Sequence, residues 1–199
     1  PEPKGDWREQ PIEGMGVLYD LGSHLIDQVL QLFGSPGRIL SHLQIQRENV
    51  GAVDCFDLTF DYGTWQACLR SDCLTPVPSH RFAIYGDSGS YLKHGLDPQE
   101  DALKTGALPL GPNWGAEPVE SWGTLKILGT DGKVRSERIP TLPGNYGEFY
   151  RNLAAALAGD EPLHVTAEQA REVILALELC LESQKTGRWV DWPSRGGTA

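Results

Sequence analysis

The chain has 199 residues, 40% of them hydrophobic and 22% charged, and 17 lysines and arginines against 27 aspartates and glutamates give a formal net charge of −10. A chain of this length can bury about 70% of its unfolded surface, so it needs neither metal nor disulfide to hold a core. The acidic balance, with its cations scattered singly, excludes nucleic acid and disfavours anionic membrane surfaces, and no apolar stretch approaches the roughly 20 residues of a spanning helix.

Residues 1–14 read as a linker, with neither a starting Met nor the basic-then-apolar profile of a secretion signal, as expected of a piece of a longer protein. Over 15–33, Leu18, Leu21, Leu25, Val29 and Leu32 recur at helical spacing, and Gly34-Ser35-Pro36-Gly37 stops the helix. At about 100° per residue, Asp20, His24, Asp27 and Gln31 fall in one polar stripe roughly 60° wide. A strand is predicted at 39–46. Phe56, Leu58 and Phe60 alternate, Asp61-Tyr62-Gly63-Thr64 turns, and Trp65, Ala67 and Leu69 alternate back, which predicts a hairpin. Further strands follow at 81–85, 91–93, 124–128 and 133–139, the last two joined by Gly129-Thr130-Asp131-Gly132. Between them, 95–123 carries Pro98, Pro109, Pro112 and Pro118 and reads as a functional or interface loop.

Tyr146, Phe149, Tyr150, Leu153 and Leu157 give a helix ending at Gly159-Asp160. Thr166 and Gln169 form a capping-box pattern that opens a long helix through Ala170, Val173, Ile174, Leu177 and Leu181 to Gly187. The tail at 190–199 is polar. These elements predict a single α+β domain over 1–199, an open, mostly antiparallel sheet with helices on one face. With Phe56, Leu58 and Phe60 on one side, the opposite side, carrying Cys55, Thr59, Cys68 and Trp65, is less polar than a solvated face; a homodimer or tetramer through that open face is expected.

Four cysteines, Cys55, Cys68, Cys73 and Cys180, lack CxxC spacing and read as buried thiols of a reducing compartment, so a cytoplasmic location is expected. Gly86-Asp87-Ser88-Gly89 matches the tetrapeptide around a protease serine, but it joins two strand-like runs and reads as a tight turn. Gly14-Met15-Gly16 resembles the start of a dinucleotide fingerprint, but Tyr19 stands where the third glycine belongs and no buried strand precedes it. Asp20 and His24, four residues apart, are the strongest pair. A carboxylate beside an imidazole favours the protonated ring, and alcohol oxidation needs a group to take the hydroxyl proton; an ordinary ion pair on a solvated helix face has the same spacing. A metal site using Asp20, His24 and Asp27 is weaker for want of a second histidine cluster, so no metal is expected. His42, His80, His94 and His164 read as surface or satisfied histidines.

The segment Gly16-Val17-Leu18-Tyr19-Asp20-Leu21-Gly22-Ser23-His24-Leu25-Ile26-Asp27 resembles the catalytic-helix motif of the Gfo/Idh/MocA family of NAD(P)-dependent sugar and inositol dehydrogenases. Trp7-Arg8, Tyr85-Gly86, Gly89-Ser90-Tyr91, the stretch 95–100, Tyr146-Gly147-Glu148-Phe149-Tyr150 and Val165-Thr166 resemble one branch of that family, which includes NADP-dependent scyllo-inositol dehydrogenases. The resemblance implies the dihydrodipicolinate-reductase-like C-terminal domain of a two-domain enzyme whose N-terminal Rossmann domain, absent from this chain, binds NADP or NAD. It implies hydride transfer from a hydroxyl of a polyol, inositol or sugar, with His24 as proton acceptor and Asp20 as its partner. A lysine completing the site would come from the absent domain, so this chain alone is expected to be inactive. Tyr146 is the candidate substrate-binding residue. The competing expectation is a non-catalytic interaction or regulatory module that keeps the fold.

Overall fold

The computed structural model describes residues 2–77 and 79–194. The chain divides into two compact units, Pro1–Thr75 with Val165–Ala199, and Pro76–His164. The strands accordingly form two separate four-stranded sheets, both open and wholly antiparallel.

In the first unit, β1 (Arg38–Gln44), β2 (Cys55–Asp61) and β3 (Gln66–Asp72) form a meander whose β1 edge is extended by a two-residue strand at Val190–Asp191. The register sets Leu43 opposite Phe56 and Ile39 opposite Phe60, while Leu58 meets Leu69 across the other ladder, so alternation gathers these side chains on one face. Two helices pack there, α1 (Ser23–Phe33) and a long one at Ala167–Thr186, supplying Ile26, Ala176, Leu177 and Cys180 to one apolar core. The long helix opens on the capping box expected at Thr166 and Gln169 and ends on Gly187 in the left-handed conformation. It also completes the sheet. Where the strand at Val190–Asp191 stops, the backbone N–H groups of Ser41 and Leu43 donate to Ser183 Oγ (3.0 Å) and Gln184 Oε1 (2.8 Å), and Gln184 Nε2 donates back to Leu43 O.

Three expectations are corrected in this unit. Leu21 and Leu32 are exposed, and Ile26 occupies the buried position of the first helix. The cause is a π turn at Leu18–Gly22 immediately ahead of α1, whose wider turn shifts the phase drawn through the leucines. The face away from the helices carries the expected Cys55, Thr59 and Cys68 together with Leu40, but also Arg38, His42, Asp57, Asp61, Arg70 and Asp72, laced by Arg38–Asp61 (2.7 Å) and Arg70–Asp57 (3.2 Å) ion pairs, so it is more charged than expected. Trp65 belongs to the hairpin turn: it stacks on Tyr62 (4.2 Å) and meets the edge of Phe33 at the end of α1.

The second unit is a meander of β4 (Phe82–Gly86), β5 (Gly89–Lys93), β6 (Gly123–Leu128) and β7 (Val134–Ile139). Asp87-Ser88 is the β4–β5 turn, as the sequence predicts. Gly123 is required because a Cβ there would fall inside the Tyr91 ring. The proline-rich stretch is more ordered than expected: it holds a helix, α2 (Gln99–Lys104), whose start at Pro98 uses the fixed φ of proline, and a 3₁₀ turn at Val119–Ser121. The helix α3 (Gly147–Ala158) forms where predicted but leaves Phe149, Tyr150 and Leu157 exposed and buries Asn152. Its apolar spacing therefore does not mark a face covering the sheet. The long helix Ala167–Thr186 of the first unit is α4, and the strand Val190–Asp191 is β8.

Candidate functional site

The candidate residues Asp20 and His24 lie in the first unit, at the join between the π turn and α1, and Tyr146 lies in the second. The join is fixed by close backbone approach. Gly16 adopts φ 95°, and a Cβ on it would stand 2.9 Å from Val53 O; the next residue, Val17, donates its N–H to that same carbonyl at 2.8 Å. Gly16 of Gly14-Met15-Gly16 thus serves helix packing against the β1–β2 connection. Gly22, inside the π turn, is buried beside Leu18 and Phe56. Ser23 Oγ donates to Asp20 O at 3.0 Å.

The Asp20 carboxylate is partly buried and accepts from Arg8 Nε at 2.6 Å. His24, on the same side of the chain one turn later, is exposed and has no hydrogen-bond or ion-pair partner among the described residues. The direct Asp20–His24 pair expected from the spacing is therefore not made; a cation from another segment occupies the carboxylate. The bond to Asp20 also raises the Arg8 guanidinium above its ordinary value, with the Asp6 charge acting in the same direction.

The sequence reading did not assign a role to the turn that carries Arg8. Trp7–Glu9 is a 3₁₀ turn capped by Asp6, whose side chain accepts from Arg8 N. The Arg8 guanidinium lies 4.6 Å over the Trp7 ring. Glu9 is buried and binds Arg47 (2.9 Å), which also binds the fully buried Asp54 (2.9 Å). The segment at 5–9 is thus anchored by an ionic network. The available signal was a cluster of aromatic, cationic and acidic side chains, Trp7-Arg8-Glu9, inside an otherwise proline- and glycine-rich stretch.

Tyr146 has a half-exposed phenol raised above its ordinary value, first by burial and then by the Asp97 charge. Its backbone N–H donates to Gln99 Oε1 at 3.0 Å. Asp27 is partly exposed, and no cluster of three or more metal-ligating side chains occurs among the described residues. No helix among them is long and apolar enough to cross a membrane. The His80 and His94 rings lie 4.1 Å apart, tilted by 39°, and His42 is exposed.

Residues 1–192 match the model of the oxidoreductase family's C-terminal alpha/beta domain, the Gfo/Idh/MocA C-terminal domain. The chain is 42% identical over 191 residues to scyllo-inositol 2-dehydrogenase (NADP(+)) IolW of Bacillus subtilis, covering 96% of this chain and 53% of that protein. It is 36% identical to the uncharacterised oxidoreductase YdgJ of Escherichia coli, covering 93% of this chain and 53% of the relative. The fold superposes on the oxidoreductase YvaA of Bacillus subtilis with a TM-score of 0.90 at 39% identity, over 96% of this chain and 54% of the other. The chain spans about half the length of the relatives it matches.

Proposed function

The chain belongs to the Gfo/Idh/MocA oxidoreductase family as its C-terminal α/β domain, and we propose that it carries the proton-transfer half of an NADP- or NAD-dependent polyol, inositol or sugar dehydrogenase. The observation that carries this reading is the exposed, unpaired imidazole of His24 one turn from a carboxylate held in place. Oxidising a secondary alcohol removes a hydride from carbon and a proton from oxygen. The nicotinamide supplies the hydride acceptor. His24 takes the proton, for which an unoccupied ring nitrogen is needed, and Asp20 contributes the negative charge that favours the imidazolium once formed. The described residues offer the dinucleotide no glycine-rich strand-to-helix turn, since Gly16 packs on Val53; the cofactor belongs to an N-terminal domain outside this chain. Tyr146, with its half-exposed phenol, is proposed as a substrate-binding residue.

The substrate class follows the 42% identical relative, whose substrate is scyllo-inositol. The reading also includes a cytoplasmic location, one domain extending over this chain, and a homodimer or tetramer. The association surface is moved to the second sheet, where Phe82, Ile84, Tyr91, Leu125, Ile127 and Ile139 share one open face. The test is steady-state oxidation of scyllo-inositol and related polyols by the full-length protein with NADP+ and with NAD+. Turnover with at least one polyol is expected, and His24→Ala and Asp20→Asn should each lower it, by about 10²- to 10⁴-fold for the histidine, with the fold intact. Near-normal turnover of the His24 variant would overturn the assignment, and no turnover on any polyol would favour a binding module.

A further inference from the structure

We propose that Asp97 is a specificity-determining residue for an uncharged polyol: its carboxylate, joined through Gln99 to Tyr146, accepts hydroxyl hydrogens of the substrate and turns away acidic and phosphorylated sugars. The proposal rests on Tyr146 as a substrate-binding residue and names the chemical class that its surroundings admit.

One buried side chain, Gln99, sets the geometry. Its Oε1 accepts from Trp114 Nε1 at 2.7 Å and from Tyr146 N at 3.0 Å, while its Nε2 donates to both oxygens of the Asp97 carboxylate, at 3.1 and 3.0 Å. Asp97 Oδ1 also accepts from Gln99 N at 2.8 Å, and a Cβ on Gly144 would run into Oδ2. The carboxylate therefore has one orientation, on the same hub as an indole and a phenol, and all of these residues lie within the second unit. The indole N–H is engaged by Gln99, so the partly buried Trp114 offers a ligand its apolar ring. The half-exposed Tyr146 hydroxyl has no hydrogen-bond partner among the described residues.

Holding the turn does not by itself call for a charge. An asparagine at position 97 would accept from Gln99 N equally well. Yet Asp97 is an exposed carboxylate with no lysine, arginine or histidine paired to it among the described residues, whereas Lys93, just upstream, is matched by Glu117. Burial first, and then the charges of Asp97 and Glu100, raise the Tyr146 phenol above its ordinary value, so the field at that phenol is negative. Such a field repels carboxylates and phosphates, while neutral hydroxyls donate to it through bonds about twice as strong as those to an uncharged acceptor. A cyclic polyol with equatorial hydroxyls suits both parts of the arrangement. Its rim of O–H groups donates to Asp97, and its C–H faces meet the rings of Trp114 and Tyr146.

The test is steady-state kinetics of the full-length protein with NADP+ and scyllo-inositol, with an inositol monophosphate as competing ligand. Asp97→Asn, which keeps the shape and the bond to Gln99 N, should raise KM about 10- to 100-fold, with kcat changed less than about threefold and Tm by no more than about 2–4 °C. The wild type should bind the phosphate at least about tenfold more weakly than scyllo-inositol, and Asp97→Asn should close most of that gap. Tyr146→Phe, which keeps the backbone bond to Gln99, should raise KM about 3- to 10-fold. An effect of Tyr146→Phe without one of Asp97→Asn, or a phosphate bound as tightly as the polyol by the wild type, overturns the proposal alone; no effect of either substitution defeats the substrate-binding reading of Tyr146 with it. The Trp114 Nε1–H resonance in ¹⁵N spectra, assigned by its absence in Trp114→Phe, gives a readout that does not need turnover. In the presence of NADP+ it should shift with scyllo-inositol at about 10 mM in the wild type and stay in place in Asp97→Asn. A wild-type resonance that does not move overturns the proposal even where polyols are oxidised. If no polyol is oxidised the proposed function fails, and a wild-type shift that is lost in Asp97→Asn still upholds Asp97 as a polyol ligand.

Discussion

Phe56, Leu58 and Phe60 sit fully buried at the centre of the first unit, whereas the buried side chains described in the second are Lys93, Gln99 and Asn152. The first unit follows the ordinary rule, with apolar faces of a sheet and two helices closed on each other. The second is held by polar hubs, each satisfied several times over. Lys93 Nζ donates to Glu117 and to Ser121 O; Gln99 accepts from Trp114 Nε1 and Tyr146 N and donates to Asp97; Asn152 bridges Pro162 O, Glu161 and His164 N. Apolar residues of the second unit are left at the surface on both faces of its sheet, Ile84 and Ile127 on one and Tyr85, Leu128 and Val134 on the other, and along α3. A unit of this kind fixes loops accurately and keeps its apolar surface for other molecules or domains.

The contrast predicts that the two units fail to opposite kinds of substitution. Phe56→Ala should cost about 3–5 kcal/mol, the transfer loss plus a cavity at a 0% exposed position. In the second unit Lys93→Met should match it at about 3–5 kcal/mol, because it strands the Glu117 carboxylate, which is 5% exposed. Ile84→Ala, at 46% exposure, should cost under about 1 kcal/mol. Chemical denaturation of the full-length variants measures all three, and an Ile84 loss near that of Phe56 would break the comparison.

Gln99→Leu tests the hubs at a smaller scale. It leaves the Trp114 and Tyr146 N–H groups without their shared acceptor, an expected loss of about 1–3 kcal/mol. The same substitution should perturb Tyr146 fluorescence and substrate KM more than kcat, since Gln99 fixes the backbone of the proposed substrate residue and not the proton acceptor.

How much of this was legible in the sequence depends on which force decides each element. The hairpins, α4 and its capping box are local, and alternation or 3.6-residue spacing announces them. The phase of the first helix was not legible, because a π turn at Leu18–Gly22 leaves no mark in a hydrophobicity pattern, and it sends Leu21 outward. Division of the strands into two sheets is likewise set by long-range pairing, and β8 is too short to carry a period. In α3 the spacing was read correctly but its meaning was not, since apolar residues at helical intervals say that a face exists and not what covers it. At the site, Asp20 and His24 were visible as a pair, whereas Arg8, twelve residues upstream, could be joined to Asp20 only by the fold.

The open face of the second sheet gives the next effect in size. A charge placed in its centre, Ile127→Glu, should weaken the proposed self-association by about 1–2 kcal/mol, roughly 5- to 30-fold in dissociation constant, while monomer stability stays unchanged. Arg70→Glu on the charged outer face of the first sheet should leave the mass unaltered. Light scattering of the full-length protein across a concentration series separates them, and a monomer at every concentration would leave that apolar face without its proposed partner.

The smallest effect lies in the first unit and appears only at high pH. The Tyr62 hydroxyl donates to Gly34 O at 2.8 Å, joining the β2–β3 turn to the end of α1, and burial pushes its phenol from 10.0 up to about 12. The folded chain therefore holds this proton more tightly than the unfolded one. The resulting stability is complete below pH 10, falls as pH rises above the unfolded value, and is fully lost above about pH 12. Cys180, raised from 9.0 to about 12 by burial in α4, adds an alkaline loss of the same sign that starts one pH unit lower. Tyr62→Phe keeps the ring stacked on Trp65 and removes one titrating group. At neutral pH it should cost about 1 kcal/mol or less, the value of one accessible hydrogen bond. Between pH 10 and 12 the wild type should lose stability faster than the variant, with Cys180 cancelling from the difference. Parallel urea titrations of the two proteins across that window check it; curves that stay parallel would mean that the aromatic cluster at Phe33, Tyr62 and Trp65 holds by packing alone.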